Sequence, residues 1–151
     1  MTDPLLAYVH VLGVVLLFGG LLAEALFLRP RPDFHLARRL LYSDMTYGIG
    51  AALVLLSGFA RTAWSAKGVE FYWENPLFHL KLAVFTVVGL VSIYPTKEYL
   101  RWRRITRGGD APQVSDAKIH RMIALARLEL AIGSLIPLLA VLMARGIGRG
   151  L

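Results

Sequence analysis

The chain has 151 residues, of which 56% are hydrophobic and 18% are charged, and its mean hydropathy is +0.57. An ordinary soluble domain carries about a quarter charged residues and less apolar content. The absence of cysteine excludes disulfides, thiolate metal sites and CxxC redox chemistry. Together these values argue against a soluble enzyme, a nucleic-acid-binding module and a disulfide-rich secreted domain.

Four apolar segments are each long enough to cross a hydrocarbon core of about 30 Å. In chain order they are Leu5–Leu28, Leu41–Ala60, Leu77–Thr96 and Ile119–Ala144. The connectors are short, so we expect residues 1–151 to form a single integral membrane domain. The predicted fold is all-α, an up-down bundle of four transmembrane helices. Tyr99 and Trp102 are expected to lie in an aromatic belt at the inner membrane interface.

The basic residues predict the orientation of this bundle. Four of them lie between the first two segments, two lie between the second and third, and seven lie in or next to the third connector. Because cytoplasmic loops collect lysine and arginine, we expect both termini to be periplasmic and the protein to be a multi-pass protein of a bacterial inner membrane. The net charge of +7 is then explained by the two basic loops, which we expect to bind anionic lipid. We do not expect the protein to bind nucleic acid.

Ionisable residues inside the segments carry the most information about function. Each costs about 2.5–3.5 kcal/mol at a helix centre, so such residues face the bundle interior and are functional by default. They are His10, Glu24, Asp44, His79, Lys81, Arg127 and Glu129. Glu24, Asp44, Arg127 and Glu129 are predicted to form a polar cluster towards the cytoplasmic side. The cluster is either a set of static ion pairs or a catalytic group that relays protons.

The first helix places polar and small residues on one face. His10, Gly13, Leu17, Gly20 and Glu24 are spaced three and four apart, which confines them to an arc of about 80°. Small residues allow another helix or a flat cofactor to approach the backbone closely. Gly13 and Gly20 therefore belong either to a cofactor-binding face or to a packing seam, which would also suit a homo-oligomer.

Two histidines lie at similar depths near the outer ends of their helices. A rise of 1.5 Å per residue puts His10 about 9 Å deep and His79 about 5 Å deep. Imidazole is a common axial ligand of haem iron, so both are candidate metal ligands, with Lys81 as a partner for a haem propionate. His79 and Lys81 are about 200° apart on an ideal helix and so do not face one small site. Copper and zinc sites are unsupported, since cysteine is absent and no third zinc ligand is evident.

Four further segments of the sequence are informative: Tyr8–His10, Phe18–Leu21, Ala37–Tyr42 and Leu77–Leu82. They resemble the HemJ-type protoporphyrinogen oxidases, small four-helix membrane proteins with haem b, and more distantly the membrane domain of CopD copper-resistance proteins. The resemblance implies a haem b pocket that involves His10 and the His79–Lys81 segment. The chain departs from HemJ at Tyr94-Pro95, where HemJ proteins carry Tyr-His, and at Ser134–Pro137, where they carry Asn-Glu-x-Pro.

Those two departures, with Trp102–Arg104 and Met143–Gly146, resemble a bacterial family of predicted membrane proteins of unknown function. We expect the chain to belong to that family, as a sister of HemJ. The leading functional hypothesis is a haem b protein with a redox role, which as an enzyme would be a haem-dependent oxidoreductase. The alternatives are a cofactor-free transporter or proton-coupled carrier that uses the intramembrane charges, and a structural membrane module whose charges form static pairs.

Overall fold

The computed structural model describes residues 2–64 and 68–148, and within these ranges the chain is helical with no strand. Its helices are α1 (Thr2–Phe27), α2 (Phe34–Ala63), α3 (Glu70–Trp73), α4 (Pro76–Arg107), α5 (Asp116–Gly133) and α6 (Leu135–Ala144). Among the described residues, four helical spans are long and apolar enough to cross a membrane, and the last of them comprises α5 and α6. The predicted all-α fold with four membrane-length helices is confirmed.

The long helices form a ring in which α1 and α2 make the most extensive contact. Helix α4 packs against α2 on one side and against α5 and α6 on the other, and α5 closes the ring on α1. Each span therefore packs on the one before it in the chain, as in an up-down bundle.

Glycines bring the backbones of α1 and α2 into direct contact. A Cβ added at Gly20 would lie 2.6 Å from both the Ser43 carbonyl oxygen and the Tyr47 amide nitrogen. On the opposite helix, a Cβ at Gly50 would lie 2.8 Å from the Gly13 carbonyl oxygen. Gly13 and Gly20 thus form a packing seam between α1 and α2 and do not line a cofactor site, because α2 fills the space next to them.

Two helices extend beyond the predicted apolar segments. Helix α2 begins at Phe34, because the Asp33 side chain caps it by accepting a hydrogen bond of 2.7 Å from the Leu36 amide. This bond lowers the pKa of the exposed Asp33 carboxyl group. Helix α4 continues past Thr96 to Arg107. The sequence prediction ended α4 where the apolar segment ends, at Thr96. The helix continues because one face of its last turns packs against α2 and α5.

The added turns of α2 and α4 form a hydrophobic core at the end of the bundle where α2 begins and α4 ends. Tyr99 and Trp102 are 0% and 1% exposed, so the prediction of an interfacial aromatic belt at these positions is wrong. They are fixed by packing against the start of α2 and of α5. The core contains Leu28, Ala37, Leu40, Leu41, Tyr99, Trp102, Ile119 and Met122.

The fourth span is interrupted at Ser134, between α5 and α6, where the sequence predicted one continuous helix. Proline has no amide hydrogen, and its ring clashes with the carbonyl group four residues earlier. Pro137 acts in this way on Gly133, the last residue of α5. After the interruption α6 buries Leu139 and Met143, while Pro137 itself is exposed.

The glycine contact gives a first testable prediction. We expect Gly20→Ala to lower the free energy of unfolding by about 1–3 kcal/mol, because the added methyl group forces two packed backbones apart. Gly19→Ala is the matched control, since nothing lies within 4 Å of a Cβ at that position. Thermal unfolding of both variants in the same detergent, followed by circular dichroism, measures the difference. Equal unfolding temperatures would show that α1 and α2 are not in backbone contact.

Candidate functional site

The predicted site residues fall into two groups along the α1–α2 pair. His10 and Lys81 lie at the end where α1 and α4 begin, next to an apolar cavity that we call the histidine cavity. Glu24, Asp44 and Glu129 lie towards the other end, and we call them the carboxyl cluster. The structure therefore separates the histidine site from the acidic residues, as their predicted depths require.

The histidine cavity has a volume of about 280 Å³ and is formed by α1, α2, α4 and α6. His10 and Lys81 are its polar side chains, and the other lining residues are apolar. Its aromatic walls are Phe18, Phe59, Phe78 and Phe85. Cofactor pockets are typically lined in this way, by apolar and aromatic side chains with a few polar groups that fix orientation.

A hydrogen-bond chain fixes which nitrogen of His10 carries the proton. The Ser57 hydroxyl donates to the Leu53 carbonyl oxygen one turn earlier in α2. A hydroxyl group has a single proton, so Ser57 Oγ must accept at its 2.9 Å contact with His10 Nδ1. Nδ1 is therefore the protonated nitrogen, and Nε2 keeps a free lone pair. Metal-binding histidines are held in the same way, by a partner on the nitrogen that does not bind the metal.

Lys81 and His79 lie on opposite sides of α4, as their angular separation predicts. Lys81 lines the histidine cavity with its ammonium group 5.4 Å from the centre of the Phe78 ring. His79 is exposed, and its Nε2 is 2.8 Å from the Trp73 carbonyl oxygen. The structure brings His10 and Lys81 together, and it places the His79 imidazole outside the cavity.

A second cation stands near the same end of the bundle. Arg61, in the last turn of α2, is close enough to act electrostatically on both His10 and Lys81. The end of the site near Arg61 is thus cationic, although the cavity walls are apolar.

The carboxyl cluster joins three helices. Glu24 of α1 and Glu129 of α5 are 3% and 1% exposed, and Asp44 of α2 is also buried. The three groups are close enough to repel one another electrostatically. Asp44 Oδ1 accepts a hydrogen bond of 2.7 Å from the Thr96 hydroxyl of α4, so all four spans contribute to this site, the last of them through α5.

Two tyrosines face the cluster. Tyr99 lies beside Glu24, and Tyr47 lies beside Glu129. Even so, the Tyr99 hydroxyl and one carboxyl oxygen of each glutamate are buried without a hydrogen-bond partner among the described residues. Such atoms are rare in folded proteins, because an unpaired buried polar group is costly.

Arg127 does not join the cluster, although the sequence grouped it with Glu24, Asp44 and Glu129. It is exposed, and within residues 2–64 and 68–148 no ion pair links it to these carboxyl groups. The reason is geometric: two residues along a helix are about 200° apart, so Arg127 and Glu129 point in opposite directions. The predicted ion-pair alternative thus lacks its cation.

Sequence reasoning missed the residues that orient the site. Ser57, Tyr47 and Thr96 were not singled out, and Tyr99 was assigned to the interface. Ser57 carried a signal, since it is an isolated hydroxyl in an apolar segment, but its partner lies 47 residues away. No group of three or more His, Cys, Asp or Glu side chains in the described part of the chain is arranged to hold a metal ion.

Comparison with known proteins agrees with this architecture. Residues 2–148 match the family described as Predicted membrane protein (DUF2214). No curated protein and no solved structure matches the chain, so the HemJ and CopD resemblance gains no further support. The predicted membership in a membrane-protein family of unknown function is confirmed, because the match covers nearly the whole chain: this protein belongs to the DUF2214 family of predicted membrane proteins.

Proposed function

We propose that this membrane protein binds haem b in the histidine cavity, where His10 Nε2 would hold the iron, and that it has a redox role. The observation that carries the proposal is the hydrogen-bond chain from His10 through Ser57 to the Leu53 carbonyl. That chain holds the imidazole in the tautomer that leaves Nε2 free for a metal.

The residues around the cavity fit a macrocycle of this kind. Haem b is flat and largely apolar and carries two propionates, so it needs apolar walls, an axial donor and cationic partners. The four phenylalanines supply the walls, while Lys81 and Arg61 supply positive charge near His10. The volume of about 280 Å³ is just below the range for ligand pockets, about 300–1,000 Å³. The cavity is open on one side, so its walls enclose only part of a macrocycle.

Under this proposal His79 does not bind the iron, although its depth in the membrane made it a candidate metal ligand. Its Nε2 is already engaged by the Trp73 carbonyl oxygen, so ligation by His79 would require that bond to break. We therefore assign the protein ligand to His10 alone. The HemJ-like segments at Tyr8–His10 and Leu77–Leu82 support a site built from these two helices, with Lys81 facing a propionate.

When bound, haem b supplies one-electron chemistry, and the chain supplies orientation and charge. His10 donates its lone pair, and Ser57 fixes the ring. Glu24, Asp44 and Glu129 hold and pass protons. They are separated from the histidine cavity by an apolar wall of Leu17, Phe85 and Ile136. These three residues line both the histidine cavity and a second cavity, which lies beside the carboxyl cluster.

Two other hypotheses make different use of the same residues. A structural module requires static pairs, and the unpaired buried oxygens of Glu24 and Glu129 disfavour it. A cofactor-free carrier depends on the carboxyl cluster and makes His10 dispensable. Loss of a haem spectrum on changing His10 therefore separates the haem proposal from both.

The charge distribution supports a location and an orientation. We place the protein in a bacterial inner membrane, with both termini periplasmic and the basic loops around Arg38 and Arg104 against anionic lipid. His10 and Lys81 then lie in the periplasmic half and the carboxyl cluster in the cytoplasmic half.

Visible spectra of the purified protein test the haem proposal. Wild-type protein expressed with ample haem should show a Soret band and sharp α-bands on reduction with dithionite. His10→Ala should abolish them, because it removes the axial donor. Ser57→Ala should retain a haem spectrum with about 10–100-fold weaker affinity, since second-shell partners of metal-binding histidines contribute on this scale.

His79→Ala and Ser134→Ala are the matched controls, because both side chains lie outside the cavity lining. Each should keep the wild-type spectrum. A featureless wild-type spectrum, or haem that survives His10→Ala and is lost in His79→Ala, would refute the assignment.

Single cysteines in this cysteine-free chain test the orientation. We expect a membrane-impermeant maleimide to label Glu70→Cys in intact cells, because the second connector should face the periplasm. Asp110→Cys, in the third connector, should react only after the membrane is permeabilised. The reverse pattern would place both termini in the cytoplasm.

A further inference from the structure

A second cavity lies beside the carboxyl cluster, and the haem proposal does not use it as a binding site. It has a volume of about 520 Å³ and lies mainly between α2 and α4. We propose that this carboxyl cavity binds a hydrophobic organic cation, such as a lipophilic amine or a quaternary ammonium or phosphonium ion.

The charge of the site selects a cation. Asp44 lines the cavity, and Glu24 and Glu129 are close enough to Asp44 to interact with it electrostatically. No lysine, arginine or histidine is among the residues that line it. The groups that face the cluster from the packed helices are Tyr47 of α2 and Thr96 and Tyr99 of α4. None of these carries positive charge, and Asp44 is the one charged side chain among the residues that line the cavity.

The unpaired polar atoms give independent evidence that a bound ligand or proton supplies the partners these groups lack. The Tyr99 hydroxyl is 0% exposed, faces Glu24 and has no hydrogen-bond partner among the described residues. One oxygen of Glu24 and one of Glu129 are unpaired in the same way. Buried carboxyl groups with no cationic partner are stable only when they carry protons or bind a cation.

The walls select an organic cation over a metal ion. Apart from Asp44, the polar side chains in the lining are Tyr47, Ser92 and Thr96, and the rest are apolar. In the described part of the chain no cluster of metal-ligating side chains is present. A weakly hydrated cation with apolar substituents gains from such walls, and the rings of Tyr47 and Phe85 offer cation–π contacts. The volume lies within the range for small-molecule pockets.

Charge balance links binding to protons. Without a cation, the three carboxyl groups are neutralised by protons, and a permanent cation that enters the site takes over that role. For each cation bound, one carboxyl O–H bond should then ionise and release its proton to the buffer, while the bound cation stays chemically unchanged. Binding should accordingly become tighter as the pH rises.

Tetraphenylphosphonium is the probe, with uncharged triphenylphosphine oxide as its neutral counterpart. Both are measured by equilibrium dialysis and calorimetry against the protein in nanodiscs of zwitterionic lipid, with empty nanodiscs subtracted. We expect the cation to bind at least about tenfold more tightly than the neutral compound, which corresponds to about 1.4 kcal/mol. Calorimetry in two buffers of different ionisation enthalpy should show proton release.

Asp44→Asn should remove this preference for the cation, and Asp110→Asn, on an exposed loop, should keep it. Gly89→Leu tests the cavity without changing any charge: Gly89 lines it and a Cβ there meets nothing within 4 Å, so the variant should fold and lose binding. Equal affinity for the two compounds, or wild-type binding by Asp44→Asn or Gly89→Leu, would overturn the proposal. If Asp44→Asn does not fold, Gly89→Leu decides.

Discussion

The close approach of α1 and α2 determines the geometry of both sites. Backbone contact at Gly20 and Gly50 fixes the register of the two helices, and no side chain lies between them to absorb a shift. With that register, His10 meets Ser57 near one end of the pair. Towards the other end it brings Glu24 near Asp44. One seam of small residues therefore sets the distance of a histidine from its orienting hydroxyl and of one carboxyl group from another.

The membrane explains why these two ends differ. Lipid offers no hydrogen bonds, so a polar group inside a span needs a partner within the protein. His10 finds one in Ser57, whose own proton goes to the backbone. Glu24 and Glu129 lie beside tyrosines and near Asp44, and each keeps one carboxyl oxygen without a hydrogen-bond partner among the described residues. In the His10–Ser57 pair, only the lone pair of His10 Nε2 has no partner within the described ranges. In the carboxyl cluster, no cationic side chain of the described part of the chain is paired with the buried carboxyl groups.

Much of the fold was predictable, because it follows from local apolarity. The four segments and the buried face of α1 could be located from hydropathy and helical spacing alone. The opposite directions of His79 and Lys81 also followed from spacing, since the angle per residue is fixed. The end of α4 was mispredicted, because burial of Trp102 depends on where α2 and α5 begin, which no local window contains. Pro137 was noted in the sequence, yet the interruption it causes falls three residues earlier, at Ser134.

The site was harder to predict, because its partners are distant in the chain. His10, Glu24, Asp44 and Glu129 are conspicuous, since ionisable residues in apolar segments are rare. Ser57 and Tyr99 are ordinary residue types for a membrane helix, and only the packing of other helices gives them a role. Arg127 shows the converse: it is as conspicuous as Glu129 in the sequence, but it lies on the outer surface of α5.

The interruption between α5 and α6 lies where the carboxyl cavity and the histidine cavity adjoin. Gly133, the last residue of α5, lines the carboxyl cavity, whereas Pro137 and Ala140 of α6 line the histidine cavity. A continuous helix would present one straight face to both. Because α6 starts afresh after Ser134, Pro137 and Ala140 line only the histidine cavity, while Ile136 of the same helix lines both cavities. The bundle can thus keep a cationic end, suited to anionic groups, and an acidic region, suited to cations, with only Leu17, Phe85 and Ile136 between them.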